Sequence, residues 1–162
     1  MNKKVLSVLV ENYSGVLNRV AGLFSRRGYN IDSLTVGVTA DPKYSRMTIV
    51  VTGDDDILEQ IIKQISKLEE VIQVDVLEGG KSVIRELIMI KIKADQAQRQ
   101  QITALTDIFR ANIVDVAKET LMIELIGNPS KLEAFIRMLD GYEILKLVRT
   151  GITGLARGDE EE

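Results

Sequence analysis

Residues 5–38 read VLSVLVENYSGVLNRVAGLFSRRGYNIDSLTVGV and contain a strand, a helix and a second strand in succession. The run from Val5 to Val10 is apolar and rich in β-branched residues, which is typical of a strand. A helix face follows, because apolar residues recur at i, i+3, i+4 and i+7: Leu17, Val20, Ala21 and Phe24. Gly28 ends this helix, and the apolar alternation over residues 33–38 predicts the second strand.

Three further elements complete a first domain. After a turn at 41–43, the run from Met47 to Val51 predicts a strand, residues 57–68 carry a helical apolar stripe, and residues 72–76 alternate as a fourth strand. The order βαββαβ is the split ferredoxin-like arrangement, in which two helices cover one face of an antiparallel sheet. Because two of the strands are apolar on both faces, we expect such domains to pair, either with each other or across a homodimer.

The second half of the chain repeats this order of elements. Its predicted strands and helices occupy residues 88–92, 102–109, 112–116, 121–125, 129–139 and 142–148. We expect Asn128 to cap the last helix and Pro129 to occupy its first turn. The fold class predicted by the whole pattern is therefore α+β, with two tandem ferredoxin-like βαββαβ domains.

The two predicted domains meet at Gly79-Gly80, the only pair of adjacent glycines in the chain. We assign residues 1–79 to the first domain, residues 80–158 to the second and residues 159–162 to an acidic tail. The net charge of −3 comes from this tail, because residues 159–162 are all acidic. A body so close to neutral does not suit the binding of a polyanion.

The composition excludes several kinds of chemistry. The chain of 162 residues has no His, Cys or Trp, which excludes Ser-His-Asp and Cys-His catalysis, disulfides and Cys/His zinc sites. Only 4% of the residues are aromatic, too few for the base-stacking platform of an RNA-binding sheet. No apolar run approaches the ~20 residues of a membrane span and no signal-peptide pattern is present, so we expect a cytoplasmic protein. The acidic run Asp54 to Asp56 favours the start of a helix over a metal site.

Two polar loops are candidate ligand contacts. The first, Asn12 to Gly15, joins the first strand to the first helix. There a helix N-terminus, a side-chain amide and a glycine could hold the carboxylate and the ammonium of an amino acid. The same residues also fit an ordinary helix cap. Asn30, at the start of the second strand, could be a further ligand contact or a turn residue after Gly28. Spacing alone leaves both alternatives open at both loops.

Longer motifs carry a family resemblance. The pattern Asn12-x-x-Gly15 followed by residues 26–36, RRGYNIDSLTV, resembles the ACT domain of the acetohydroxyacid (acetolactate) synthase small subunit. The resemblance continues to residue 158 through SRMTI at 45–49, RELIMIK at 85–91, IFRANIVDV at 108–116 and RTGITGLARG at 149–158. It therefore covers nearly the whole chain and excludes only the acidic end.

This resemblance implies a regulatory role in branched-chain amino-acid biosynthesis. Such a chain would have no catalytic residues, cofactor or metal of its own. It would activate a large catalytic subunit that carries thiamine diphosphate, Mg and FAD, and would make that subunit sensitive to feedback inhibition by valine. ACT domains of this kind pair as a homodimer with the effector at the interface. The implied effector-binding residues are Asn12, Gly15, Val16 and Leu17 from one protomer, with Asn30 and Ile31 from its partner.

Two other functions remain compatible with the residues. One is a free-standing ACT-type amino-acid sensor that acts on a different protein partner. The other is a small enzyme with carboxylate or Lys catalysis, although the sequence places no converging acid/base pair in its loops. The sequence does not distinguish valine, leucine and isoleucine as the strongest effector, and it does not identify the surface that meets the catalytic subunit. The loop in the second domain that corresponds to Asn12–Gly15 is Ala94-Asp95-Gln96-Ala97, which has no glycine and makes an equivalent site there doubtful.

Overall fold

The structure of the protein is a computed structural model that describes residues 2–159. Of the predicted acidic tail, residues 160–162 lie outside the described part. The first strands and helices are β1 (Asn2–Glu11), α1 (Val16–Arg26), β2 (Ile31–Val38), β3 (Tyr44–Gly53), α2 (Asp55–Ser66) and β4 (Val71–Leu77). A 3-10 turn at Gly79–Lys81 precedes β5 (Ser82–Lys93), α3 (Gln96–Phe109), β6 (Asn112–Val116), β7 (Thr120–Gly127), α4 (Pro129–Met138), β8 (Ile144–Arg149) and β9 (Thr153–Ala156).

The chain folds into two compact units, each with the predicted βαββαβ order. The first unit combines the residues up to Val83 with those from Ile152 onward, and the second unit is Ile84–Gly151. These units differ from the predicted division at Gly79-Gly80, since the chain passes between them inside β5. Residues 152–158, predicted as part of the second domain, pack with the first unit. The sequence pattern missed β9, because a four-residue strand is too short for a periodic signal.

The first unit is built on an antiparallel sheet with strand order β2-β3-β1-β4. Alternate residues of β1 and β3 face both helices, because successive side chains of a strand point to opposite faces. The buried cluster formed there comprises Leu6, Val8, Val10, Met47, Ile49 and Val51 from the sheet and Val16, Val20, Leu23, Phe24, Leu58, Ile61 and Ile65 from the helices. The apolar spacing in 17–24 and 57–68 thus marked the buried helix faces.

The opposite face of this sheet is also buried at its centre. Ser7 and Thr48, which are directly paired between β1 and β3, are 0% and 2% exposed. Beside Thr48, Val50 is buried on the same face. Arg46 donates a hydrogen bond from Nη1 to Ser7 Oγ at 2.9 Å. The continuous apolar run of β3 is thus explained by burial on both faces within this chain.

The second unit has the strand order β6-β7-β5-β8 and its own core. Phe109 and Phe135 pack edge to face with ring centroids 5.1 Å apart. Asn128 caps α4 by accepting a hydrogen bond at Oδ1 from the Lys131 backbone N–H at 2.9 Å, and Pro129 opens the helix. Both predictions for this helix start are confirmed.

A charged cluster closes one end of the second unit. Arg149 donates from Nε and Nη2 to the two carboxylate oxygens of Glu86, at 2.9 and 3.2 Å, and from Nη1 to Glu133 at 2.8 Å. The hydrogen bonds to these two carboxylates raise the pKa of Arg149 above its usual range. Because Glu86 is buried, this bidentate pair holds β8 against β5 by charge-assisted bonds.

Candidate functional site

Gly15 forms the entry to α1 in a conformation that favours glycine. Its φ is +93°, in the left-handed region, and a side chain there is strained whatever space is available. Gly15 is the N-cap residue, and no side chain caps the helix. The first backbone N–H groups of a helix have no partner within it and carry a partial positive charge. This end of α1 can therefore receive an anionic group.

Asn12 is held beside this loop by the β2–β3 turn. Its side-chain Nδ2 donates to the Pro42 carbonyl at 2.9 Å, and its backbone N–H donates to the Lys43 carbonyl at 2.8 Å. The alternative that Asn12 or Ser14 caps α1 is therefore wrong. Because one amide N–H is used by the turn, Asn12 offers its Oδ1 as an acceptor and its second N–H as a donor.

The next two candidate residues differ in exposure. Val16 is 3% exposed and belongs to the core of the first unit, whereas Leu17 is 44% exposed. The Val16 side chain is thus committed to the core, and its backbone N–H donates a long hydrogen bond of 3.4 Å to the Tyr13 carbonyl. Leu17 alone of this pair presents an apolar side chain to the surface.

Asn30 and Ile31 lie at the start of β2. Asn30 is exposed, and its Nδ2 donates to Asp32 Oδ1 at 2.9 Å. Asp32 also accepts a hydrogen bond from the Thr52 hydroxyl. The pairing of β2 with β3 shifts register between Ile31 and Ser33, so a bulge together with these bonds fixes the direction of Asn30. Ile31 is half-buried and packs against the core.

The two groups of candidate residues lie at opposite ends of the first sheet. Glu11, directly before the first loop, pairs with Tyr44, whereas Ile31 pairs with Val51, seven positions further along β3. At about 3.3 Å per residue, this separates the two ends by ~23 Å. The structure thus brings together the residues of the 12–17 segment, and within one protomer it does not bring Asn30 or Ile31 to them.

β2, which begins directly after Asn30, is an edge strand of the first sheet. β2 is hydrogen-bonded to β3 on one side only. Val36 and Val38 share the helix-facing side with Leu34 and are 46% and 62% exposed. An edge of this kind presents unpaired backbone N–H and C=O groups beside exposed apolar side chains, which is a template for pairing with another chain.

A buried carboxylate near the first loop was not found by sequence reasoning. Glu70 lies just before β4, and its backbone carbonyl accepts from the Glu11 N–H at 2.9 Å. Its carboxylate pairs with Arg19 of α1 and lies close enough to Tyr13 to affect its phenol. Partial desolvation and then the charge of Glu70 raise the pKa of Tyr13. An acidic residue next to an apolar strand start was the available signal, but its partner Arg19 is far away in sequence.

The corresponding loop of the second unit is closed by its own side chains. Asp95 caps α3 by accepting from the Gln98 backbone N–H at 2.8 Å, and Gln98 Oε1 accepts from the Asp95 N–H at 3.1 Å. This reciprocal capping box satisfies the donors that are left without a side-chain cap in α1. The missing glycine of this loop therefore accompanies a helix end that is capped by its own side chains.

The acidic run after β3 behaves as expected for a helix start. Asp54 is the N-cap residue of α2, and Asp55 and Asp56 lie in its first turn. Within residues 2–159, no group of three or more His, Cys, Asp or Glu residues is placed to hold a metal ion. In the same part of the chain, every helix is too short or too polar to cross a membrane.

Comparison with known proteins gives matches along the whole chain. Residues 6–73 match the family described as AHAS small subunit-like ACT domain, and residues 85–158 match the family described as small subunit of acetolactate synthase. A probable acetolactate synthase small subunit of Archaeoglobus fulgidus is 50% identical over 98% of this chain and 99% of that protein. The acetolactate synthase isozyme 3 small subunit of Salmonella typhimurium is 48% identical over 98% of each chain.

One solved structure agrees over the full length. The crystal structure of the acetolactate synthase small subunit from Thermotoga maritima superimposes with a TM-score of 0.91 at 42% identity. It covers 99% of this chain and 100% of its own. The order of the elements and both βαββαβ units are thus shared with a protein of similar sequence.

Proposed function

The chain belongs to the family of acetolactate synthase small subunits, and on this basis we propose that its first unit binds a branched-chain amino acid, with valine as the expected effector. Members of this family are the regulatory subunits of an enzyme of branched-chain amino-acid biosynthesis. Residues 6–73 match an ACT domain. Effector binding is proposed to inhibit the catalytic subunit that this chain otherwise activates.

The observation that carries the proposal is the position of Asn12 and Asn30 at opposite ends of one sheet. Two protomers related by a twofold axis, with their β2 edges side by side and antiparallel, would bring Asn30 of one chain to the loop end of the other. The exposed Val36 and Val38 on this edge support such a homodimer. Each pair of protomers would then hold two equivalent sites, each made by both chains.

The residues at this site suit a zwitterion with an aliphatic side chain. The N-terminus of α1, which lacks a side-chain cap, would hold the carboxylate through the backbone N–H of Leu17 and through that of Val16, which would give up its 3.4 Å bond to the Tyr13 carbonyl. The Oδ1 atoms of Asn12 and Asn30 would accept from the ammonium, because their Nδ2 atoms already donate to Pro42 and Asp32. The exposed Leu17 and the partner's Ile31 would contact the aliphatic side chain.

Catalysis is proposed to reside on a separate large subunit. That subunit would carry thiamine diphosphate, Mg and FAD, whereas this chain would contribute no cofactor and no catalytic group. The absence of His and Cys from the chain supports this division, because the recognition of a zwitterion needs amides and no titrating nucleophile. A cytoplasmic location is part of the same proposal, since the complex would act on soluble metabolites.

Regulation requires two arrangements of the paired first units, of which the effector prefers one. A preference of ~1–3 kcal/mol is sufficient for appreciable inhibition. Because the coupling of two binding events is reciprocal, the catalytic subunit must change the affinity for valine by the same factor. A calorimetric titration with valine, leucine and isoleucine, with and without the catalytic subunit, measures this factor and ranks the effectors.

The shared site can be tested by mixing two defective proteins. We expect Gly15→Asp and Asn30→Ala each to weaken valine binding in a homodimer. In a mixed dimer, one site would combine both defects and the other would be fully intact. Valine binding with a stoichiometry of one site per mixed dimer, isolated through two different affinity tags, is the expected result.

Two outcomes would contradict the proposal. If the mixed dimer bound no valine, the two loops would not contribute to one shared site. If valine bound normally to both parent variants, the residues would be assigned wrongly. A chain that bound valine but failed to co-purify with a thiamine-dependent catalytic subunit would instead support the sensor alternative.

A further inference from the structure

The chain returns to the first unit at Ile152, where two hydroxyl groups of β2 hold its backbone. Ser33 Oγ accepts from the Ile152 N–H at 3.0 Å, and Thr35 Oγ1 donates to the Ile152 carbonyl at 3.2 Å. Ser33 and Thr35 are two positions apart on one strand and therefore point to the same face of the sheet. Both backbone groups of a single residue are thus bonded by side chains 117 and 119 positions away in sequence.

The segment that starts at Ile152 is anchored at its other end as well. The backbone N–H of Arg157, which directly follows β9, donates to the Lys81 carbonyl at 2.7 Å. Residues 152–157 therefore form a short strap, held at one end by β2 and at the other by the 3-10 turn before β5.

Thr150, two residues before the strap, is held in the second unit. Thr150 is bonded to Leu87 through a backbone bond of 3.0 Å to the Leu87 carbonyl and through Thr150 Oγ1, which accepts from the Leu87 N–H at 3.1 Å. Gly151 alone separates Thr150 from Ile152, and its φ is +88°. Residues 150 and 152 are thus hydrogen-bonded in different units with one residue between them.

The same strand begins at the proposed effector contact. Asn30 and Ile31 precede the bulge at Asp32, and Ser33 follows it directly. Because Asn30 is hydrogen-bonded to Asp32, a ligand that moves or orders Asn30 acts on Ser33 through a very short stretch of chain. From Ser33 and Thr35, the displacement passes to Ile152 and then along the chain to Thr150.

We propose that Ser33 and Thr35 are positioning residues that couple the effector site to the second unit by clamping Ile152. They do not contact the effector themselves. This inference rests on the proposed function, because it assumes that an effector contacts the start of β2. It predicts that binding and inhibition can be separated by variants of the clamp.

The test uses the full-length chain assembled with its catalytic subunit. In the double variant Ser33→Ala with Thr35→Val, both clamp hydroxyls are removed with little change in volume. We expect the variant without the catalytic subunit to bind valine with the affinity of the unmodified chain in calorimetry. In the complex, the factor by which saturating valine lowers the activity should fall by at least about fivefold, within the usual range of allosteric coupling. Activation of the catalytic subunit without valine provides the check that the complex forms.

Two controls distinguish a coupling role from a merely structural one. Thr35→Ser keeps the hydroxyl, so it should retain inhibition. A second double variant, Ser25→Ala with Ser66→Ala, removes hydroxyls that bond carbonyls of their own helices, and it should be inhibited normally. If the double variant is unstable, the single variants Ser33→Ala and Thr35→Val of the full-length chain are measured in the same way, and each is expected to show part of the same separation of binding from inhibition.

Each result has a distinct meaning. Inhibition of the clamp variant to the normal extent at saturating valine would overturn the coupling role. Loss of valine binding in the clamp variant would also overturn it, because Ser33 and Thr35 would then belong to the binding site. Failure of the unmodified chain to bind any branched-chain amino acid would instead contradict the proposed function, on which the inference rests.

Discussion

Arg19 Nε lies 3.2 Å from Glu70 Oε1, and this ion pair joins α1 to the start of β4. The Glu70 side chain is 9% exposed, whereas that of Arg19 is 57% exposed. Glu70 Oε2 is buried and has no hydrogen-bond partner among the described residues. The carboxylate therefore depends on Arg19 for the stabilisation of its charge.

Replacement of Arg19 is expected to destabilise the first unit. Arg19→Met would leave Glu70 buried without its cation, and an unsatisfied buried acceptor costs about 1–3 kcal/mol. Lys63→Met is the control, because the Lys63–Glu59 pair is exposed on both sides and such a pair contributes about 0.3–0.5 kcal/mol. Urea unfolding followed by circular dichroism compares the two. Equal losses of stability would show that the burial of Glu70 does not matter.

Glu70 also contributes to the raised pKa of Tyr13. Partial desolvation and the charge of Glu70 raise the pKa of Tyr13 above the ordinary value of about 10. The folded chain therefore keeps the phenol proton when the unfolded chain has begun to lose it, so this residue reduces stability as the pH rises above about 10. In an ultraviolet titration of phenolate, Glu70→Gln should move the Tyr13 transition to lower pH.

The phenolate signal of Tyr13 can be assigned by difference. The chain has four tyrosines, and Tyr13→Phe removes one transition from the titration. Glu119→Gln, a charge change on a residue outside the group that affects Tyr13, is the control. A Tyr13 transition that stays unmoved in Glu70→Gln would exclude the proposed electrostatic cause.

Gly15 should tolerate substitution less well than Gly22, although neither lacks space. A Cβ would meet no atom within 4 Å at either position, but Gly15 alone has a positive φ, of +93°. Gly15→Ala should cost about 1–2 kcal/mol of stability, whereas Gly22→Ala in mid-helix should gain about 0.5–1 kcal/mol. Thermal unfolding measures both. A stable Gly15→Ala protein would mean that the loop adopts another conformation.

Gly15→Asp adds a charge to this backbone strain. A carboxylate at the N-terminus of α1 would compete with the carboxylate of the effector for the same N–H groups. We expect inhibition by valine to be abolished while activation of the catalytic subunit remains. Full inhibition of this variant in an activity assay would contradict the proposed anion site.

Asn30 and Asn112 form a matched pair for a test of the effector contact. Each stands at the start of the second strand of its unit, Asn30 directly before β2 and Asn112 as the first residue of β6, and each is followed by Ile. Only Asn30 belongs to the proposed site. Asn30→Ala should weaken valine binding by about 1.5–3 kcal/mol, the contribution of a hydrogen bond to a charged group. Asn112→Ala should leave binding unchanged. Calorimetry measures the valine affinity of both variants. An equal loss of affinity in both would indicate a general loss of structure.

Much of the fold could be predicted because its signals are local. The helix start at Asn128-Pro129 was correct because a capping side chain and a proline act on the next few residues alone. The buried faces of α1 and α2 followed from helical spacing, and β3 followed from its apolar run. Asn12 was found as a candidate, but its hydrogen bond to Pro42 was not, because the turn that meets it is thirty positions away.

The resemblance of the longer motifs identified the family, and the comparisons confirmed it. Residue chemistry alone left Asn12 and Asn30 between a cap or turn role and a ligand contact. For Asn12 the structure excludes the cap, while the ligand contact stays a prediction. Val16 shows that a residue of the motif can serve the core, since its side chain is buried and its backbone N–H donates to the Tyr13 carbonyl.

The amino-acid sequence by itself determined the two βαββαβ units, their helix faces and the family to which the chain belongs. These properties depend on periodicity and on short motifs, and both are formed by residues that are close together in the sequence. Only the tertiary structure decided that Glu70 is buried beside Arg19, that Asn12 and Asn30 lie at opposite ends of one sheet, and that Ile152 returns to Ser33 and Thr35. Such pairings follow from strand register and chain return, which bring together side chains that no local pattern relates.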